Sequence, residues 1–462
     1  MKIPVQPPSL LQLVQDDAQR GVHEESLRRV LKLLPTDIGR DRGVEYLHWE
    51  RLKHKPLPDG LETHEDWWQI TKLRRSSAYR HLPFESKDGR PFVYWLPDPV
   101  QKKLHQVDQQ AAGRVEVAEQ VANPDTRDRY LFNSLVEEAI TSSQLEGAST
   151  SHRVAKAMLR AGRKPRDKSE QMIFNNYRAM TLIREEAQSP LTREFLLELH
   201  RVVTDGTLED PGQEGRFRRE GEDVVVHDIR DRTVLHVPPH CEQLEERVER
   251  LCRFANGDDD GDQFMHPVVR AILLHFMVGY DHPFVDGNGR TARALFYWSM
   301  ANQGYWMMEF ISISTILKRG PAKYMRAYLF TEQDENDATY FIDFNLQLIL
   351  RAIKNLQKYL VTKAEQVRRV EDVLGTSVLA QSLNHRQIAL LSHAIRSPGG
   401  FYTFASHGKS HRITYPTART DLLQLVDLGL LTKMKIKKAF AFQAIPNLAD
   451  RLAELKDSNA QA

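Results

Sequence analysis

Apolar positions recur at three and four residues over 24–34, 129–145, 242–254, 266–281, 289–303, 340–360 and 385–395, the period of an amphipathic helix. Each of these stretches is predicted helical. Strand-like alternation is confined to Asp223–Asp228 with Thr233–Val237, to Pro91–Tyr94, and to the run Thr432–Phe442. The first pair flanks a turn at Arg230-Asp231-Arg232 and so predicts a β-hairpin. The chain shows no internal repeat and no long low-complexity run. The predicted fold is mainly α. Residues 1–110 form an N-terminal helical region in which Trp49, Trp67 and Trp68 are read as core packing. A helical core with one hairpin occupies 111–360, a charged helical connector 361–381, a separate small module 382–446 and a tail 447–462.

Composition narrows the function classes. A chain of 462 residues has room for two to four domains. Lys plus Arg is 64 against 62 for Asp plus Glu, a net +2 that excludes a chain coating nucleic acid or membrane along its whole length. No stretch approaches the ~20 apolar residues of a membrane span, and the N-terminus MKIPVQPPSLLQLVQDD lacks an apolar signal region. The only cysteines, Cys241 and Cys252, fall in one predicted helix, which suggests a reducing compartment with neither a disulfide framework nor a zinc site. A cytoplasmic protein with no membrane partner is expected.

Charge is unevenly spread. Within 382–446, Arg386, Arg396, Lys409, Arg412, Arg419, Lys433, Lys435, Lys437 and Lys438 face only Asp421 and Asp427, a local +7. A helix over 385–395, a second over Pro416–Val426 ended by Gly429, and alternation through Leu430–Lys438 and Phe440–Phe442 resemble a winged helix-turn-helix. Thr417, Arg419, Thr420 and Gln424 would then face a DNA groove and the wing lysines its phosphates. Modules of this kind also bind proteins or dimerise, and both readings stay open.

The densest chemistry lies in His282-Pro-Phe-Val-Asp-Gly-Asn-Gly-Arg-Thr-Ala-Arg293, between the apolar helix His266–Asp281 and another carrying Ala292, Leu295, Phe296 and Met300. Gly287 and Gly289 allow a close backbone approach. The unpaired N–H groups that open the second helix form an anion site. Arg290 and Arg293, three apart, are expected on roughly one face of its first turn. They work against the helix dipole unless a polyphosphate lies between them and the loop. Asp286 supplies one hard oxygen for Mg²⁺, and His282 is the nearby side chain suited to act as a neutral base. Phe284 is expected to anchor the loop in the core. Taken singly, each residue has a structural explanation; together, within twelve residues, they describe a phosphate-handling site.

This segment resembles the signature loop of the Fic family, H-P-F-x-[D/E]-G-N-G-R-x-x-R, at every fixed position. The resemblance extends through Gly215-Arg216-Phe217-Arg218, Pro238-Pro239, and His266-Pro267 with Arg270, and covers about 111–360. It implies a helical core with a β-hairpin flap and transfer of AMP from ATP to a Tyr, Thr or Ser hydroxyl of a protein. By the same match His282 would deprotonate the hydroxyl and Asp286 would hold Mg²⁺. Gly287, Asn288 and Gly289 would cradle the phosphates, and Arg290 and Arg293 would bind the outer ones. Lys323 and Tyr324 fall where the family places residues near the nucleotide, Tyr324 against the adenosine. The flap, 223–237, would dock an extended segment of the target protein.

A second motif, Ser142-Ser-Gln-Leu-Glu146-Gly147, closes a predicted helix of about 127–147. It resembles the Fic inhibitory motif [S/T]-x-x-x-E-[G/N], in the class whose inhibitory helix precedes the core. The implied role of Glu146 is to pair with Arg293 and take the place of the γ-phosphate. Some relatives use the equivalent Glu to remove AMP, so an AMP-removing phosphodiesterase is the rival within the same chemistry. A DNA-binding regulator with a nucleotide-sensing pocket is the rival outside it. Inhibition within one chain and across a homodimer look alike in sequence.

Overall fold

The helical periods become helices, in the computed structural model, which describes residues 2–19, 21, 23–39, 46–112, 124–228, 231–258, 263–376, 383–396, 399–436, 439–448 and 450–452. In chain order they are α1 (Leu10–Gln19), α2 (His23–Leu33), α3 (Trp49–Leu52), α4 (His64–Ser76), α5 (Asp98–Val107), α6 (Pro124–Leu145), α7 (His152–Ala161), α8 (Lys168–Glu185) and α9 (Arg193–Thr204). The series continues with α10 (Leu244–Asn256), α11 (Pro267–Asp281), α12 (Asn288–Asn302), α13 (Ile313–Arg319), α14 (Pro321–Gln333) and α15 (Thr339–Thr376). No described helix is long and apolar enough to cross a membrane.

Two units divide the chain, residues 1–116 with 129–354, and 117–128 with 355–462. The centre of the first is α11, which is buried on every face from Val268 to Val278 and packs along α12. A helix apolar all round has to be central, and this one carries the loop that begins at His282. Among the N-terminal aromatics, Trp49 and Trp68 pack with Leu13 and Leu52, and Trp67 is half-buried against them.

Two strand expectations and one helix expectation change in detail. The N-terminal region holds a two-stranded sheet, β1 (Arg80–Glu85) with β2 (Pro91–Tyr94), where only the second strand shows in the sequence pattern. Pro83 inside β1 hides it, and the ladder accommodates the irregularity with a register shift between His81 and Glu85. The flap strands are shorter than expected: β3 is Val226–His227 and β4 is Val234–His236. A register shift between Val226 and His227 breaks the ladder, and Arg232 at φ +56° turns the chain. Arg230 of the expected turn lies outside the described residues. Cys241 stands in a short 3₁₀ turn ahead of α10 instead of sharing a helix with Cys252; burial pushes the Cys252 thiol up to about 12.

The second unit contains α16 (His385–Arg396), β5 (Phe401–Tyr402), α17 (Phe404–His411), α18 (Tyr415–Asp427), β6 (Leu431–Ile436) and β7 (Ala439–Ala444), with strand order β5-β7-β6. Leu391, Leu422, Leu425, Leu430 and Phe442 form its core. Arg419, Thr420 and Gln424 are exposed on α18, and Thr417 is half-buried. Arg386 is not part of a basic surface, because it is held in a buried cluster where Asp421 accepts from its Nε at 2.8 Å and pairs with His407 at 3.1 Å. Lys437, Lys438, 377–381 of the connector and 453–462 of the tail lie outside the described residues.

Candidate active site

The last turn of α11 sets the site. His282 caps that helix in the left-handed region at φ +43°, with its N–H bonded to the Val278 carbonyl. Its Nδ1 lies 2.7 Å from the Gly279 carbonyl, which can only accept, so Nδ1 carries the proton and Nε2 is left bare. Burial pulls the His282 imidazole down to about 4, and the Gly279 bond only partly opposes that. The ring is therefore neutral at pH 7.

Beyond His282 the chain is fastened from several sides. The Phe284 ring is fully buried, stacked on His200 with centroids 3.7 Å apart and near Phe217 at 5.7 Å. The Asn288 side chain accepts from Phe284 N–H at 2.9 Å and donates to its carbonyl at 2.8 Å. Arg218 donates from Nε to the His282 carbonyl at 2.9 Å, and its own N–H bonds the Pro283 carbonyl. Gly287 opens α12 at φ +87°, and a Cβ there would sit 2.7 Å from Thr204 Cγ2.

His200 was not legible as a site residue, being distant in sequence and set in an ordinary amphipathic helix. Its Nδ1 accepts from the Gly215 N–H at 3.1 Å, so Nε2 carries the proton and donates to the Asp286 carbonyl at 2.8 Å. Burial holds it down at about 4. It splints the loop in one tautomer.

The motif at the end of α6 reaches this loop. Arg293, buried on α12, donates from Nε to Ser142 Oγ at 2.8 Å and from Nη2 to the Ser142 carbonyl at 3.1 Å. The same Nη2 donates to Glu146 Oε1 at 2.9 Å. Burial works against the Arg293 charge, but the Glu146 carboxylate outweighs it and holds the guanidinium above its ordinary value. Gly147 takes φ +94° directly after the helix. A Cβ on Gly289 would stand 2.2 Å from Glu146 Oε1, so the carboxylate lies against the opening turn of α12, where an anion is favoured.

What holds α6 there is Glu138, 1% exposed, on the helix face that also carries Leu131, Leu135 and Ser142. Its carboxylate accepts from Tyr297 Oη at 3.0 Å, Ser312 Oγ at 2.7 Å and Ser314 N–H at 3.1 Å, and from Ser314 Oγ. A polar residue on an apolar stripe was the signal for it. Glu138→Gln puts an amide donor against these donors, and we expect a loss of about 2 kcal/mol in urea unfolding.

These elements enclose a cavity of about 220 Å³. Glu146, His282, Gly289 and Arg293 line one side, Tyr324 and Tyr328 another, and Val226, Leu235 and His236 of the flap a third. His236 ties β4 down, with Nε2 2.7 Å from the Tyr280 carbonyl and Nδ1 2.7 Å from Glu332 Oε2.

Residues 190–300 match the Fic/DOC family model. That stretch is a Fic domain. Over 115 residues, 25% of this chain, the sequence is 37% identical to the protein adenylyltransferase Fic of Drosophila ananassae and 36% identical to that of Drosophila melanogaster. The match spans about a fifth of those relatives, 20% and 21% of their lengths. Among solved structures, a Fic family protein from Desulfovibrio desulfuricans aligns with TM-score 0.47 and 17% identity over 75% of this chain and 95% of its own. Fic-1 from C. elegans aligns with TM-score 0.46 and 18% identity over 78% and 90%. Helix α6 and Glu146 lie outside the stretch matched by the family model.

Within the Fic domain and its surroundings, two expected site residues, Arg290 and Lys323, are placed away from this cavity. Arg290 does not line the cavity: it is 1% exposed, donates to the Val203 carbonyl at 3.0 Å, and its Nε has no partner among the described residues. Three residues along a helix leave about 60° between side chains, enough to send one arginine inward on a helix buried on all sides. The Asn288 side chain latches the loop, leaving only its backbone for a ligand. Lys323 lines a different cavity, described below, while Tyr324 does reach this one and bonds His275 Nε2 at 2.7 Å through its hydroxyl. Asp286 stands at the cavity with its side chain 58% exposed and its Oδ1 capping the Gly287 N–H at 2.5 Å. Among the described residues no group of three or more His, Cys, Asp or Glu is arranged to hold a metal.

Burial also holds His48 and His275 neutral, both down to about 3. With His200 and His282, these imidazoles bind fewer protons folded than unfolded below the unfolded value near 6.5. Stability is thus complete above pH 6.5 and falls as pH drops toward 4, by up to about 1.4 kcal/mol per pH unit for each ring. Urea unfolding at pH 7 and pH 5 should show the lower midpoint at pH 5.

Proposed function

We propose that this chain moves AMP from ATP onto a hydroxyl of a protein, and that Glu146 restrains it. The observation that carries the reading is a neutral imidazole, His282, whose tautomer leaves Nε2 bare beside a glycine loop opening a helix. The curated relatives named protein adenylyltransferase Fic support the same chemistry.

In this reading His282 Nε2 takes the proton of the target hydroxyl. The oxygen forms its bond to the α-phosphorus as the bond to the pyrophosphate oxygen breaks, and pyrophosphate leaves. The N–H groups of Asn288 and Gly289 and the Arg293 guanidinium receive phosphate charge. One exposed carboxylate with phosphate oxygens suits Mg²⁺, and Asp286 would hold it; the ion would neutralise charge on the phosphates. Val234 and Val237 are 49% and 44% exposed on the flap, which suits docking of an extended target segment. With Glu146 against Gly289 and bonded to Arg293, the position for the outer phosphate is filled.

The test is to incubate the Glu146→Gly protein and cell lysate with ATP labelled at either the α- or the γ-phosphate. Label on protein from the α position alone, with release of pyrophosphate, is expected. Label from the γ position, or none, rules the reading out. Release of AMP from pre-modified protein without forward transfer would assign the AMP-removing reaction instead.

A further inference from the structure

Helix α14 has two working faces. Tyr324, Met325 and Tyr328 line the cavity described above, whereas Lys323, Arg326 and Phe330 line a second one of about 310 Å³. The second is bounded by α13, α14, the part of α15 up to Arg351 and the segment around Tyr46 and Arg51, all within the first unit. Its charge is one-sided: Arg51, Arg319, Lys323, Arg326 and Arg351 line it, and the acid among its lining residues is Asp343.

That acid is already engaged. Asp343 Oδ1 is paired with Lys103, and Oδ2 accepts from the Gln347 amide at 2.8 Å and the Tyr46 N–H at 3.3 Å. It has little capacity left to neutralise the cavity. Arg319, Lys323, Arg326 and Arg351 form no ion pair with any described residue, and Arg326 Nε is buried without a hydrogen-bond partner. Like charges gathered in a recess with low-dielectric walls repel one another and raise the local potential. A buried donor left unmade adds a further penalty. Both effects are relieved by one kind of occupant, an anion with several acceptor oxygens, and guanidinium forks match phosphate best.

We propose that this cavity is a second anion site, distinct from the Fic loop, that takes a small polyphosphate. It does not depend on the chain transferring AMP. The charged heads of Arg319, Lys323 and Arg351, exposed at the rim, draw the ligand in, and Arg326 meets it deeper. Because α14 is a wall of both cavities, an occupant here presses on the helix that positions Tyr324.

Calorimetric titration of the full chain with inorganic tripolyphosphate tests the site. Wild type should bind saturably, and Arg319→Glu/Arg351→Glu should bind at least ~10-fold more weakly, since each factor of ten needs only about 1.4 kcal/mol. Binding should weaken further as salt is raised. Both substituted side chains are exposed, so thermal unfolding should be unchanged; if it is not, Lys323→Glu serves in their place. Hydrogen exchange on the same samples should gain protection over 316–330 and 343–351. Equal affinity in wild type and variant, no saturable binding, or protection confined to 282–293 overturns the proposal.

Discussion

Glu146→Gly raises transfer of α-label onto protein at least ~10-fold over wild type, and its stability falls unless nucleotide is present. Glu146 Oε1 lies where a Cβ on Gly289 would collide with it, against the opening turn of α12, and 2.9 Å from Arg293 Nη2. Removing the carboxylate vacates an anion position and frees the one arginine of the loop that reaches the cavity. Stability falls because of what remains. Arg293 is 2% exposed and loses its only carboxylate partner among the described residues, keeping two bonds to Ser142. A buried cation stripped of its partner costs several kcal/mol, about 3 by analogy with broken buried pairs. ATP restores the missing charge, so the melting temperature of the variant should rise more with Mg²⁺ and ATP than that of wild type. Glu146→Gln separates the two effects, because it keeps the bulk and removes the charge. If both variants transfer label no faster than wild type, Glu146 is not a restraint.

His282→Ala in the Glu146→Gly background removes the base and is expected to lower transfer by about 10³-fold or more, within the range for losing a positioned proton acceptor. The pH profile distinguishes this from a structural loss. The reactive form is the neutral ring, and burial places its protonation at about 4. Transfer by Glu146→Gly should therefore stay level from pH 8 down to about 5 and fall only as pH approaches 4, where unfolding must be tracked in parallel. A decline centred near 6.5 would mean an exposed histidine, and unchanged transfer in the Ala variant would remove His282 from the chemistry altogether.

The loop was legible as a candidate site because its polar side chains and glycines stand in adjacent residues: a histidine, a carboxylate, two glycines and two arginines in one run. The helices on either side were legible because α11 and α12 are apolar enough to announce themselves. What escaped was the support. His200 splints the loop from another helix, and nothing local to it differs from a packed histidine. Arg290 and Arg293 look equivalent in sequence, and only the burial of α12 on all sides decides that one points inward. β1 was lost to Pro83, and the flap strands came out short because a register shift is invisible to a period-two pattern. Glu138 could have been found as the one acid on an apolar stripe, though not its serine and tyrosine donors. The second cavity was beyond reach, since its cations come from segments as distant as Arg51 and Arg351.

The Glu138 anchorage sets a mechanical limit. Glu138 is clamped to Tyr297, Ser312 and Ser314, and Glu146 lies eight positions further along the chain. At 1.5 Å per helical residue that is a lever of about 12 Å with a fixed fulcrum. Between the two, Ser142 is bonded to Arg293 and Ser143 donates from Oγ to the Met172 carbonyl at 3.1 Å, so the part of α6 left to move is its last few residues. If Glu146 is the restraint we propose, its release would involve only the few residues after Ser143, and the seated Glu138 would bring the carboxylate back to the same place.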